Sequence, residues 1–474
     1  MNNVTIRANG STKMSWINPD LIRAKFSKTM SDMYQQEVPL YGNLIDLVHE
    51  VNTAELKNSK CLEQQLKSTN ELERLSEERH GAIRLGTAEE LFNMRRIFAV
   101  MGMYPVGYYD LVPAGVPVHA TAFRAVDAKS LAISPFRVFT SLLRLELIEN
   151  EALRELASTI LSERQIFTTE ALALTKKSED QGGLSATDAE LFVQEVLETF
   201  RWHSNAPVAR DIYDALHDQH RLIADVVAFR GPHINHLTPR TLNIDAVQIG
   251  MKSNGIPPKA VIEGPPSRQC PILLRQTSFK ALEEPVFFKG EIEGFHSARF
   301  GEIEQRGIAL TSKGRELYDS LLASTRKILN APITEANASE YMEILAKQFE
   351  AFPDSYDELQ EQGLGYFYYH LDNHYQPDQK TWTIEDFPAL IAQGVLAFSP
   401  IVYEDFLPVS AAGIFQSNLG DNAHSEYQSW SNQQQFEASL GAKVNDLIEI
   451  YEKIQNESIQ QVLSSLNKKS VLTA

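Results

Sequence analysis

The run Arg299-Phe300-Gly301-Glu302-Ile303-Glu304-Gln305-Arg306-Gly307 sets two carboxylates and a guanidinium at alternate positions. In an extended strand Glu302, Glu304 and Arg306 share one face, and Ile303 and Gln305 the other. On a solvated face such a pattern needs no explanation. Inside a sheet the carboxylates must be paired or must bind a cation. Residues 286–300 read as further strand with no helical stripe between, which places the run within a sheet. Of twelve histidines, His80, His233, His236 and His296 stand in similar strand-like settings. Two imidazoles and one carboxylate on one face of a divalent first-row metal form the triad that suits Fe(II) and leaves positions for a substrate and O2. His296 has the strand parity of Glu302 and is a rival ligand, as Glu304 is to Glu302. Arg84 lies four residues after His80, on the same strand face. An arginine there could hold a substrate carboxylate in a two-point grip while the metal chelates the other end. A strand histidine is more often a packed residue than a ligand, and an arginine more often an ion-pair partner.

Composition bounds the rest. A chain of 474 residues exceeds one ordinary core, so two or three units, or one domain with large insertions, are expected. With 44 basic against 62 acidic residues the formal charge is −18, which disfavours nucleic acid as a partner. No stretch approaches the length of a membrane span and residues 1–16 lack an apolar signal core, so a cytoplasmic protein without a membrane partner is expected. Cys61 and Cys270 are far apart, which indicates neither a disulfide framework nor a thiolate metal site.

The elements that must position these residues alternate along the chain. Helical spacing covers residues 18–30 and 40–53, then a short strand carries His80, Ala82 and Arg84 on one face. Thr87 and Glu90 have capping-box spacing ahead of a helix over 88–101. Paired strands follow at 104–111 and 118–124, and helices are expected at 142–161, 188–201 and 208–229. A second β-rich region opens at His233-Ile234-Asn235-His236 and runs through 246–251, 261–263, 272–279 and 286–310. Beyond it lie helices at 312–329 and 338–350, strands near 364–372 and 394–403, and one long helix from 433 to 466. The division expected is 1–137 (first β-rich module, with His80 and Arg84), 138–228 (helical insertion), 229–311 (second module, with His236 and Glu302) and 312–474 (an extension closing the pocket).

Four segments carry a resemblance. Glu302-Ile303-Glu304-Gln305-Arg306 resembles the strand that supplies the iron-binding glutamate in 4-hydroxyphenylpyruvate dioxygenases, of the vicinal oxygen chelate superfamily. Together with residues 78–84, 233–238 and 406–415, it makes the chain similar over nearly its full length to the 2-oxoadipate dioxygenase/decarboxylase family. The resemblance implies an α+β fold in which paired βαβββ modules form a curved sheet around a metal, with large helical insertions and a C-terminal helix. It implies that His80, His236 and Glu302 bind Fe(II) (Fe2+) and carry catalysis through it. Arg84 would hold the far carboxylate of a 2-oxo diacid, and Val409 would line the substrate pocket. The reaction implied converts 2-oxoadipate and O2 to 2-hydroxyglutarate and CO2, a step of lysine breakdown. One departure stands out: Glu304 occupies a position that is apolar in the 4-hydroxyphenylpyruvate enzymes, and the register of Gln305-Arg306 assigns the metal to Glu302. Alternatives are the same scaffold acting on another 2-oxo acid, or a metal-free binding module.

Overall fold

The computed structural model describes residues 16–290, 292–372, 380–407 and 425–468, with 425–431 as helix backbone only. The architecture is α+β, built on two modules of one design. In the first, β1 (Arg79–Leu85) leads into the helix Ala88–Val100 and then β2 (Tyr104–Asp110), β3 (Val118–Arg124) and β4 (Arg137–Leu143). β1 lies parallel to β4, while β3 runs antiparallel to both β4 and β2. The spatial order is therefore β2-β3-β4-β1, a βαβββ unit.

The second module repeats this plan. β5 (His236–Pro239) leads into the helix Ile244–Ser253, then β6 (Leu274–Ser278), β7 (Glu284–Phe288), β8 (Ile292–His296) and β9 (Glu302–Arg306). β9 pairs antiparallel with β6, and the Arg240–Glu304 bridge sets it parallel beside the end of β5. Glu263 bridges to Gln276 on the far side of β6. The β7–β8 hairpin is an addition that pairs only within itself among the named strands. β1 and β5 pair antiparallel, with Ala82 opposite His236, so the two modules join through their first strands into one sheet.

Alternation along these strands decides what each face holds. Ile83, Leu85, Val138, Leu142, Leu237 and Ile303 all enter the largest apolar core, which the helices Pro19–Glu37, Pro39–Asn58 and Ala88–Val100 cover. The opposite face is left with His80, Ala82, Arg84, Phe139, His236 and the charged side of β9. Gly301 is required just before that side, because a Cβ there would lie 2.1 Å from the Phe279 ring.

Several elements differ from the periodicity. Residues 246–251 form a helix rather than strand: Ile244, Val247 and Met251 make one buried stripe, and the Asn243 side chain caps it. Helix is expected from residue 142, yet Leu142 and Leu143 finish β4, and the helix begins only at Glu151 behind Asn150. β4 thus runs across the expected boundary at residue 137. The stripe from 208 to 229 divides into the helices Arg210–Gln219 and Arg221–Val227, with His220 extended between them. Gly441, in the left-handed region at φ +68°, ends the helix Ser425–Leu440, and Asp446 caps a separate one, Leu447–Leu466. The capping box before residue 88 is half realised. Thr87 accepts from the Glu90 N–H, but the Glu90 carboxylate takes the Gly86 N–H and an ion pair with Arg164 instead.

Beyond β9, the helices Ser312–Leu329 and Ala338–Gln348 share a second core with the hairpin of β10 (Phe367–Leu371) and β11 (Leu396–Pro400). The chain leaving β11 returns to the sheet, where Tyr403 N–H donates to Gly307 O, and it brings Phe406 over the His80 ring. No helix among the described residues is long and apolar enough to cross a membrane.

Candidate metal centre

His80, His236 and Glu302 come together from three strands, with one potential donor atom from each within 4.8 Å of the others. His80 Nε2 is 3.0 Å from Glu302 Oε1, and His236 Nε2 is 3.6 Å from the same oxygen. The register explains the meeting. Ala82 stands opposite His236 and His80 opposite Thr238 on β1–β5, while β9 lies against the other edge of β5. Thr238 Oγ1 donates to Glu302 Oε1 at 3.1 Å and steadies the carboxylate.

Electrostatics tune the three groups differently. Burial pushes the His236 imidazole down to about 4, against the pull of Glu302, so the ring is neutral near pH 7 and its lone pair is free to bind. Burial also lowers His80, but Glu304 and Glu302 on its two sides raise it further, leaving it above its ordinary value. Burial raises Glu302, and the two histidines more than reverse this, so its carboxyl stays below the usual range. The two carboxylates thus favour positive charge at His80, whereas burial disfavours a proton on His236. His236 Nδ1 is buried with no hydrogen-bond partner among the described residues. Two imidazole nitrogens and one carboxylate oxygen are a donor set that fits Fe(II).

Glu304 occupies a different place from Glu302. Its carboxylate lies 2.7 Å from His80 Nδ1, behind the ring, and takes a two-point ion pair from Arg306 at 2.7 and 2.9 Å. Behind it, Glu78 is ringed by Arg74, Arg137, Arg240 and Arg306 at 3.1–3.7 Å. Glu404 bonds Arg74 and Arg137, and Glu71 bonds Arg240. Arg124 grips Asp405 through Nε and Nη2, and the Tyr451 hydroxyl donates to the same carboxylate. Charges buried so deeply persist only when paired and hydrogen-bonded.

The remaining candidates separate. His296 and His233 sit away from the three: Nε2 of His296 is 2.8 Å and Nε2 of His233 is 3.3 Å from Asp225 Oδ1. Arg84 stays on the face of His80, and its charge acts on His236, but its Nη1 donates to Asp225 Oδ2 at 2.5 Å. Phe406, Phe139, Tyr109, Ala120 and Ala122 form an apolar cluster beside His80. Val409 lies outside the described residues. Sequence reasoning gave no role to Glu78 or Thr238, although both lie in segments that carry the resemblance, and it passed over Asp225, which has no local motif and is marked only by its burial beside charged partners.

The model of the family described as 2-oxoadipate dioxygenase/decarboxylase matches residues 26–418. The chain belongs to this family. A 2-oxoadipate dioxygenase/decarboxylase of Pseudomonas putida is 59% identical over 455 residues, covering 95% of this chain and 98% of that one. Its counterpart in Escherichia coli is 55% identical over 443 residues, covering 93% and 98%. A crystal structure of the hydroxyglutarate synthase of Pseudomonas putida in complex with 2-oxoadipate superposes with a TM-score of 0.88 at 57% identity, over 95% of this chain and 99% of that one. Family membership gives the buried triad and the arginine beside it a chemical context.

Proposed function

We propose that this protein is an Fe(II)-dependent dioxygenase/decarboxylase that converts 2-oxoadipate and O2 to 2-hydroxyglutarate and CO2. The observation that carries it is the convergence of His80, His236 and Glu302, with Arg84 on the same sheet face, in a chain of this family. The atoms balance: the C1 carboxylate leaves as CO2 with its own two oxygens, and the five-carbon product takes both atoms of O2, one into the new carboxylate at the former keto carbon and one into the hydroxyl. No second 2-oxo acid is required, because the substrate carries its own.

His80, His236 and Glu302 would hold the metal, which when bound supplies chelation of the 2-oxo acid head and activation of O2. Glu304 holds His80 from behind, so that Nε2 faces Glu302. Thr238 orients the Glu302 carboxylate. Arg84 binds the far carboxylate of the substrate and fixes which end of the diacid meets the metal. Phe406, Phe139 and Tyr109, with the small Ala120 and Ala122, give the methylene chain an apolar wall and keep water from the reacting carbon. Val409 is proposed to complete that wall. The protein is proposed to act in the cytoplasm.

Oxygen uptake with 2-oxoadipate and Fe(II), followed by product analysis, tests this. Uptake matched by 2-hydroxyglutarate and CO2 is expected. Uptake no greater than that of Glu302→Ala would overturn the reading.

A further inference from the structure

Asp225 belongs to the helix Arg221–Val227, outside both βαβββ modules, yet it is 4% exposed and has no apolar role. Its two oxygens are divided. Oδ1 receives His296 Nε2 at 2.8 Å and has His233 Nε2 at 3.3 Å, whereas Oδ2 accepts from Arg84 Nη1 at 2.5 Å. The Tyr213 hydroxyl lies 2.8 Å from His296 Nδ1. With Tyr213 donating to Nδ1, the ring carries a proton on Nε2 and gives it to Asp225. Trp202 stacks on His296 with ring planes 4° apart and sets its edge to His233. Four chain segments therefore hold one carboxylate still: the helix Arg210–Gln219, the helix bearing Asp225, the approach to β5, and β8.

Burying a charge and two imidazoles is costly unless they are mutually satisfied. All this polar structure ends on Arg84, whose side chain is a quarter exposed. The contact with Asp225 uses one of its five N–H donors, and no other hydrogen-bond acceptor for Arg84 is found among the described residues. One edge of the guanidinium is anchored, and the rest remains for a planar carboxylate.

We propose that Asp225, held by His233, His296 and Tyr213, is a positioning residue that aims Arg84 at the far carboxylate of the substrate and thereby sets the preference for a diacid. This rests on the function proposed above. An unanchored arginine must give up its rotamer freedom on binding, whereas one held in place has already done so.

The test compares kcat/KM for 2-oxoadipate with that for 2-oxohexanoate, which has the same chain length but lacks the far carboxylate. In Asp225→Ala the ratio of the two should fall about tenfold, the order set by the rotamer freedom of a released arginine. Most of the loss should lie in the KM for 2-oxoadipate. Asp225→Asn, which keeps the shape and one acceptor oxygen, should fall between and serves if the alanine variant does not fold. In an Arg84→Ala background, Asp225→Ala should leave the ratio unchanged, because the residue acts only through Arg84. A ratio equal to that of the wild type in both Asp225 variants would overturn the proposal. So would equal losses on both acids, or the same drop in ratio without Arg84. Wild-type protein that turned over neither acid would overturn the function reading itself and this inference with it, whereas equal turnover of both would overturn this inference alone.

Discussion

His80 Nδ1 lies 2.7 Å from Glu304 Oε2, on the side of the ring opposite Glu302. One strand thus supplies two carboxylates to one imidazole, the first at the candidate metal position and the second as its support. A carboxylate behind a ligating histidine fixes the ring and raises its basicity, and losing such a partner typically lowers metal affinity about 10–100-fold. Glu304→Gln should therefore weaken iron binding by that factor, read by metal titration of the folded protein. Affinity equal to that of the wild type would show that the contact does not support the metal.

Among the described residues Glu302 has no arginine partner; its neighbours are the two histidines and Thr238. Glu302→Ala should purify folded with its far-ultraviolet circular dichroism unchanged, yet retain no stoichiometric iron. Chelation of the wild-type protein should abolish oxygen uptake in the same way, and Fe(II) should restore it to the wild type but not to the variant.

Arg84→Met should lower kcat/KM for 2-oxoadipate by about 5- to 150-fold, the range that corresponds to ~1–3 kcal/mol for a lost charged hydrogen bond. Turnover of 2-oxohexanoate should change far less. Equal losses on both acids would place Arg84 in the structure rather than in recognition.

Glu78 meets four guanidinium groups in the interior. Removing the shared carboxylate leaves uncompensated buried charge, which costs about 3–5 kcal/mol. Urea denaturation of Glu78→Ala should show a loss of that order, well beyond that of an exposed pair such as Glu63→Ala.

Acid should destabilise the fold in two stages. Burial, with the charge of Arg144, holds His119 down at about 4. A depressed histidine is neutral in the fold, so the unfolded chain binds the extra proton and stability is lost as pH falls from 6.5 towards 4. Burial raises Glu304, but Arg306 and His80 bring it down to about 2. Its contribution is present above the ordinary carboxylate value and is lost as pH falls from about 4.5 through 2. His80, raised overall, acts in the opposite sense and loses its contribution as pH rises. Thermal midpoints between pH 8 and 3 should decline gently below 6.5 and steeply below 4.5, and His119→Gln should make the first stage shallower without abolishing it, because His236 is held down to about 4 as well.

Much of the site was legible in the sequence because strand alternation is a local rule. Given a strand, Glu302, Glu304 and Arg306 had to share a face, as did His80, Ala82 and Arg84, and they do. The resemblance of four short segments placed the chain in its family. Helix ends were less legible. The turn at His220, the break at Gly441 and the persistence of β4 through Leu143 depend on what each segment packs against.

The sequence by itself determined which residues could act, since side-chain type and strand period are properties of the chain alone. Only the tertiary structure decided which carboxylate meets both histidines and which stands behind one. Glu302 and Glu304 share one strand face, yet Glu302 meets His80 Nε2 and His236, whereas Glu304 meets His80 Nδ1 and Arg306. Tertiary structure also drew His296 and His233 away to Asp225 and anchored Arg84 there. The physical reason is that a buried charge must find its partner in space. Its stability depends on distance and dielectric, and neither is written in the spacing of residues along a chain.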